Sequence, residues 1–168
     1  MKVIFLDFDG VMNSYHSELI DPECVGVLSA IIEETGAKVV ATSASRYDYL
    51  EGKVTYLESE FYRDYIRPLQ SYGIKIDGIL PCIGKNKEVE IQTYLNEHPD
   101  ITEYVILDDD YFYFSLLGHE IYIDFESGLS VFDFQTAVNI LNGKLFYYDQ
   151  NKIETDVEKR MQLRKYFK

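Results

Sequence analysis

Acidic and hydroxyl side chains recur in this chain directly behind short apolar runs. Asp7 and Asp9 close the run over residues 3–8, Thr42 and Ser43 follow Lys38–Ala41, and Asp108 and Asp109 follow residues 104–107. A single aspartate after a strand is ordinarily a turn or cap residue. Three such clusters behind three strands point instead to one shared site. Carboxylates crowded into one crevice repel each other strongly unless a cation sits among them. Hard oxygen donors without histidine or cysteine select magnesium. Such a cation also inverts the local sign of the field, so a cleft can take a phosphate even on a chain of net charge -13.

The elements that must position these groups are legible from punctuation and periodicity. Residues 3–8 read as a buried strand followed by a loop at Gly10. Asp21 and Pro22 start a helix as N-cap and first-turn residue, Leu28, Ile31 and Ile32 give it an apolar face, and Gly36 ends it. Lys38–Ala41 is a second buried strand. Residues 58–70 look helical, with Phe61, Tyr65 and Ile66 on one side, and Pro68 should end or kink that helix. A short strand is expected over 74–80, a helix over 87–96, a core strand over 104–107, another over 121–123, and a helix over Val131–Leu141 stopping at Gly143.

Strands alternating with helices imply an α/β fold, a parallel sheet with helices on both faces. In such a sheet ligands bind outside the carboxyl ends of the strands, where all three polar clusters would converge. The stretch 144–168 differs in character. It has few aliphatic residues and collects Lys159, Arg160, Arg164, Lys165 and Lys168. It reads as a final amphipathic helix on the body, with a trailing tail as the alternative.

Asp7-Phe8-Asp9-Gly10-Val11 after an apolar strand resembles the DxDGV signature of the haloacid dehalogenase (HAD) superfamily, whose members are mostly phosphatases. The resemblance continues in order. Thr42-Ser43 resembles the second motif, Lys87 at a helix start the third, and Asp108-Asp109 the fourth. Thr42-Ser43-Ala44-Ser45-Arg46, Asp108-Asp109-Asp110 and Ser127-Gly128-Leu129-Ser130 further resemble the small HAD domain of "Swiss Army knife" RNA-repair proteins, although the tryptophan typical of that subgroup's first segment is absent.

The resemblance implies a three-layer α/β/α Rossmann-like fold, expected over 1–145, and the changed composition of the last stretch makes 146–168 a helical extension packed on that domain or trailing it. It also implies a phosphomonoesterase working through a phosphoaspartate. Asp7 would be the nucleophile and Asp9 the general acid and base. Thr42 and Ser43 would hold the phosphoryl oxygens, Lys87 would neutralise Asp7 and the phosphate, and Asp108 and Asp109 would complete a magnesium site with Asp7 and the Asp9 carbonyl. Gly10 would permit close backbone approach beside the phosphate. Alternatives stand at four positions: Lys85 for Lys87, Ser43 for Thr42, Asn13 as substrate contact or turn residue, and Arg46 as phosphate grip or loop anchor. A member with the fold and metal site but little turnover, serving as a binding or regulatory module, is the competing functional reading.

The segment between Asp9 and Thr42 is filled by one helix and its connections, and that between Thr42 and Lys87 has room for a helix and a short extra element. A capless or minimally capped enzyme with an open cleft is therefore expected. The expected substrate is a phosphorylated small molecule, a nucleotide or a nucleic-acid end. The charge of -13 opposes strong non-specific nucleic-acid binding. His16, His98 and His119 are scattered and carry no metal-ligand spacing. Two isolated cysteines, Cys24 and Cys82, and the lack of a signal-like or membrane-spanning stretch point to a reduced, cytoplasmic setting and no membrane partner.

Overall fold

The computed structural model describes residues 1–14, 17, 19–110 and 115–148. Five parallel strands form one sheet: β1 Lys2–Leu6, β2 Lys38–Ala41, β3 Gly78–Ile79, β4 Glu103–Asp108 and β5 Glu120–Tyr122, in the spatial order β3-β2-β1-β4-β5. The chain winds outward from β1 to β3, then returns to lay β4 on the other side of β1. The strand order therefore reverses between β1 and β4, the position at which open α/β sheets leave a crevice at their carboxyl edge.

β1 is buried on both sides, and its alternation assigns the two cores. Ile4 and Leu6 face one core with Val39, Ala41, Val105 and Leu107, covered by helices α1 (Pro22–Thr35) and α5 (Val131–Leu141). Val3 and Phe5 face the other with Val40 and Ile106, covered by α4 (Lys87–Glu97). This is a three-layer α/β/α Rossmann-like arrangement.

Local chemistry sets the helix boundaries. Asp21 caps α1 by accepting from the Glu23 N–H at 2.9 Å, and Gly36 closes it at φ 67°, a left-handed conformation costly for other residues. Asn86 caps α4 by accepting from the Val89 N–H at 3.2 Å, which fixes Lys87 as the first helical residue. The Ser130 N–H donates to Asp133 Oδ2 at 2.8 Å at the start of α5.

The stretch between Thr42 and Lys87 departs from expectation in detail. It holds a short turn over Ala44–Arg46, one helical turn α2 (Tyr47–Leu50), a turn over Tyr56–Glu58, a π-helical stretch Phe61–Ile66 and helix α3 (Arg67–Ser71). Pro68 does not end the helix. It sits in the first turn of α3, where its missing N–H is not needed, directly after the widened π turn. The strand expected over 74–80 shrinks to Gly78–Ile79 because only Gly78 and Ile79 pair with β2. Among the described residues this segment packs onto the core and builds no second domain.

Most of the expected extension over 146–168 lies outside the described residues, as does His16. Its first residues pack beside β5: the Phe146 N–H donates to the Gly118 carbonyl at 3.0 Å and the Tyr148 hydroxyl accepts from the Tyr122 N–H at 2.9 Å.

Candidate active site

Three of the strand ends meet at the carboxyl edge of the sheet. Asp7 continues the pairing of β1 with β4 through its N–H, 3.0 Å from the Leu107 carbonyl, and Thr42 continues the pairing of β2 with β1, its N–H 2.8 Å from the Leu6 carbonyl. Asp108 is the last residue of β4. Backbone pairing therefore carries these side chains to the reversal point of the sheet.

Lys87 reaches the same place from the start of α4. Its Nζ lies 3.2 Å from Asp7 Oδ2 and donates to Asp108 Oδ2 at 3.0 Å. Asp108 Oδ1 accepts from the Asp110 N–H at 2.8 Å, which fixes the turn of the acidic run. Carboxylate oxygens of Asp7, Asp108 and Asp109 all lie within 4.8 Å of one another, and all three residues are buried. Asp9 adds no side-chain oxygen to that group.

The electrostatics follow from this crowding. Burial pushes the Asp7 carboxyl up to about 7; Lys87 opposes the rise, while Asp108 and Asp109 add to it. Burial alone would disfavour the Lys87 ammonium, but Asp7 and Asp108 outweigh it and hold the lysine above its ordinary range. Hard oxygens at this spacing suit a magnesium ion, and the mutual repulsion felt at Asp7 is what a cation would relieve.

The hydroxyl of Thr42 is fully buried and has no hydrogen-bond partner among the described residues. Such an atom is suited to a ligand oxygen. Ser43 is occupied differently, its Oγ lying 3.0 Å from Ser45 Oγ.

Gly10 adopts φ 73°, and a Cβ there would stand 2.7 Å from Asp109 Oδ2. The close approach that this glycine permits is that of the Asp109 carboxylate. Asn13 Oδ1 accepts from the Gly10 N–H at 2.8 Å and so staples the loop, although Asn13 also lines the adjoining cleft.

Arg46 is not a phosphate grip. Its side chain is fully buried and ion-paired with Glu90, donates to the Thr42 carbonyl, and reaches the Ser43 and Leu80 carbonyls at 2.8 Å each. Every direction of its planar donor fork is used by the fold, so it anchors the loop carrying Thr42 and Ser43. Lys85 is half-exposed and pairs with Glu51 at 2.9 Å, leaving the contact with Asp7 to Lys87. His98 stacks on Tyr94 and His119 on Tyr104, both as packing groups.

The model of a family described as the HAD domain in Swiss Army Knife RNA repair proteins matches residues 3–134. The chain belongs to that family. The match runs from β1 into α5 and takes in all the residues gathered above. No curated protein matches the chain.

The HAD domain has an open cleft of about 450 Å³ beside this cluster, bordered by Asp9, Asn13, Glu60, Asp64, Tyr65 and Asp109. Asp9 is exposed there and accepts a hydrogen bond from the Tyr65 hydroxyl. Burial, and then that bond to Asp9, raise the Tyr65 phenol above its ordinary value, so it stays protonated and donates. Tyr65, Glu60 and Asp64 are among the residues that line the site without belonging to any of the motifs. Their signal in the sequence is only a helical period, which reports packing and not chemistry.

Proposed function

We propose that the chain is a magnesium-dependent phosphomonoesterase that works through a phosphoaspartate on Asp7. The observation that carries this reading is the buried Asp7 carboxylate, held 3.2 Å from Lys87 with Asp108 and Asp109 grouped beside it. Asp7, Asp108 and Asp109 would hold the metal, with the Asp9 carbonyl as a further oxygen donor. Bound there, magnesium would supply positive charge that lowers the repulsion between an anionic nucleophile and an anionic substrate.

In the first half-reaction an Asp7 oxygen bonds to phosphorus while the ester P–O bond breaks, and Asp9 gives its proton to the departing oxygen. In the second, water bonds to phosphorus as the Asp7–phosphorus bond breaks, Asp9 takes the water proton, and inorganic phosphate leaves. The Thr42 hydroxyl, the Ser43 N–H and Lys87 hold the phosphoryl oxygens through both steps.

The substrate is a phosphorylated small molecule, a nucleotide, or a nucleic-acid end of which only the terminal phosphate is gripped. The family's association with RNA repair proteins favours nucleic acid. The cleft beside Asp9 carries Glu60 and Asp64, and the chain has a net charge of -13, which together favour an alcohol half without phosphates of its own.

The test is phosphate release from p-nitrophenyl phosphate, nucleoside monophosphates and 3′- or 5′-phosphorylated oligonucleotides, with magnesium and with EDTA, beside Asp7→Asn. Magnesium-dependent release that falls by about 10³-fold or more in the variant supports the mechanism. Turnover within about tenfold of wild type overturns it. A folded, magnesium-binding protein that releases no phosphate from any of them favours the binding-module reading.

A further inference from the structure

We propose that Tyr65 is a positioning residue that holds the Asp9 carboxyl aligned for proton transfer to the leaving alcohol; this rests on the phosphomonoesterase reading. Tyr65 is buried and its ring stacks on Phe8, with centroids 4.8 Å apart and planes 21° apart. Phe61 stacks on the same ring, centroids 5.7 Å apart. Phe8 is the residue between Asp7 and Asp9, so Tyr65 is fixed against the very backbone that carries both carboxylates. From that seat its hydroxyl donates to Asp9 Oδ1.

The arrangement matters because Asp9 is otherwise exposed. An exposed carboxyl held only by solvent samples several rotamers, and each wrong one removes it from the reacting geometry. A hydrogen bond from a ring that cannot move selects one rotamer. It also distinguishes the two oxygens: Oδ1 accepts from Tyr65, which leaves Oδ2 to carry the proton that moves. That proton passes from Oδ2 to the ester oxygen as the bond from that oxygen to phosphorus breaks and the bond from Asp7 to phosphorus forms. In the second half-reaction Oδ2 recovers a proton from the attacking water.

The local backbone has a form that suits such a task. Tyr65 lies in the π-helical stretch Phe61–Ile66, in which the Arg67 N–H reaches back to the Tyr62 carbonyl. A π turn adds a residue to the helical turn and shifts the direction of the side chains that follow, and such turns are frequent at functional sites.

A tyrosine that merely fills the core would affect all substrates alike. In the first half-reaction, one that aligns a proton donor matters only where the leaving oxygen needs the proton. p-Nitrophenolate leaves readily as an anion, whereas an alkoxide does not. The experiment compares wild type, Tyr65→Phe, Asp9→Asn and the double variant on p-nitrophenyl phosphate and on a simple alkyl phosphate, with magnesium, reading kcat and KM separately.

Tyr65→Phe keeps the ring stack, and a melting curve verifies the fold. Expected is a fall in kcat/KM, which reports the steps up to departure of the alcohol, of about tenfold or more on the alkyl ester against about threefold or less on the aryl ester. In the Asp9→Asn background, Tyr65→Phe should have no further effect. Equal losses on both esters, no loss on either, or a loss that persists without the Asp9 carboxyl overturns the proposal. Absence of turnover by wild type on both esters and on every nucleotide and phosphorylated oligonucleotide named above overturns the phosphomonoesterase reading itself, and this proposal with it.

Discussion

Arg46 and Glu90 form an ion pair with both side chains fully buried, directly beneath the loop that carries Thr42 and Ser43. The pair is embedded in further bonds: the Tyr47 hydroxyl donates to Glu90 Oε2 at 3.0 Å and the Ile83 N–H to Oε1 at 2.7 Å. Removing one partner leaves the other charged and buried. Glu90→Ala is therefore expected to destabilise the fold by about 3–5 kcal/mol, and Glu90→Gln, which keeps the shape and an oxygen acceptor, by less. Urea unfolding of the two variants checks this; equal losses would contradict it.

Lys87 and Lys85 provide a matched comparison two residues apart. Lys87→Ala removes the charge facing Asp7 and Asp108, and turnover should fall by about 10²-fold or more. Lys85→Ala loses a half-exposed pair with Glu51 and a contact over the Tyr47 ring, both away from Asp7, and should stay within about twofold of wild type. Steady-state kinetics on one ester suffices, and a reversed order would move the lysine of the site to Lys85.

Gly10→Ala should weaken magnesium binding beyond any general strain. Gly36 is the control, since both glycines lie at positive φ but a Cβ at Gly36 meets nothing within 4 Å. Both alanine variants incur the left-handed penalty of roughly 1–2 kcal/mol. Only Gly10→Ala presses on the Asp109 carboxylate, so only it should shift a magnesium titration midpoint. Identical midpoints in the two variants would show that Asp109 has room to yield.

The metal-free protein should lose stability as pH rises. The Asp7 carboxyl, ordinarily near 3.8, is pushed up to about 7 in the fold, chiefly by burial, with Lys87 opposing and Asp108 and Asp109 reinforcing. The folded state thus holds the proton more tightly than the unfolded chain. Its contribution is fully present below about pH 4 and is lost as pH climbs through about 7. With EDTA, the Tm of wild type should fall against that of Asp7→Asn between about pH 5 and pH 7.5. Magnesium should flatten the difference, because it favours the ionised carboxylate. Parallel curves for the two proteins in EDTA would exclude this titration.

Much of this architecture is written locally. Asp21 with Pro22, Gly36 and Gly143 mark helix ends by short-range chemistry, and the helix over Val131–Leu141 falls where its apolar period places it. The polar clusters are legible for the same reason: each follows its own strand, and a parallel sheet brings strand ends together. What escapes is set by distant partners. Arg46 meets Glu90 across 44 positions and Tyr65 meets Asp9 across 56, and no local pattern announces either. A buried arginine is rare enough that, lacking sight of its partner, a phosphate contact is an equally reasonable expectation. The strand over 74–80 is over-read because its apolar residues pack on the core while only two of them pair with β2.

The π stretch at Phe61–Ile66 amounts to an α-helix carrying one residue too many. Deleting a single residue there would restore the ordinary winding and swing whatever follows by about 100°. Tyr65 and the acidic wall of the cleft, Glu60 and Asp64, share that turn, so one codon lost would unseat the hydrogen bond to Asp9 and redraw the opening in the same stroke.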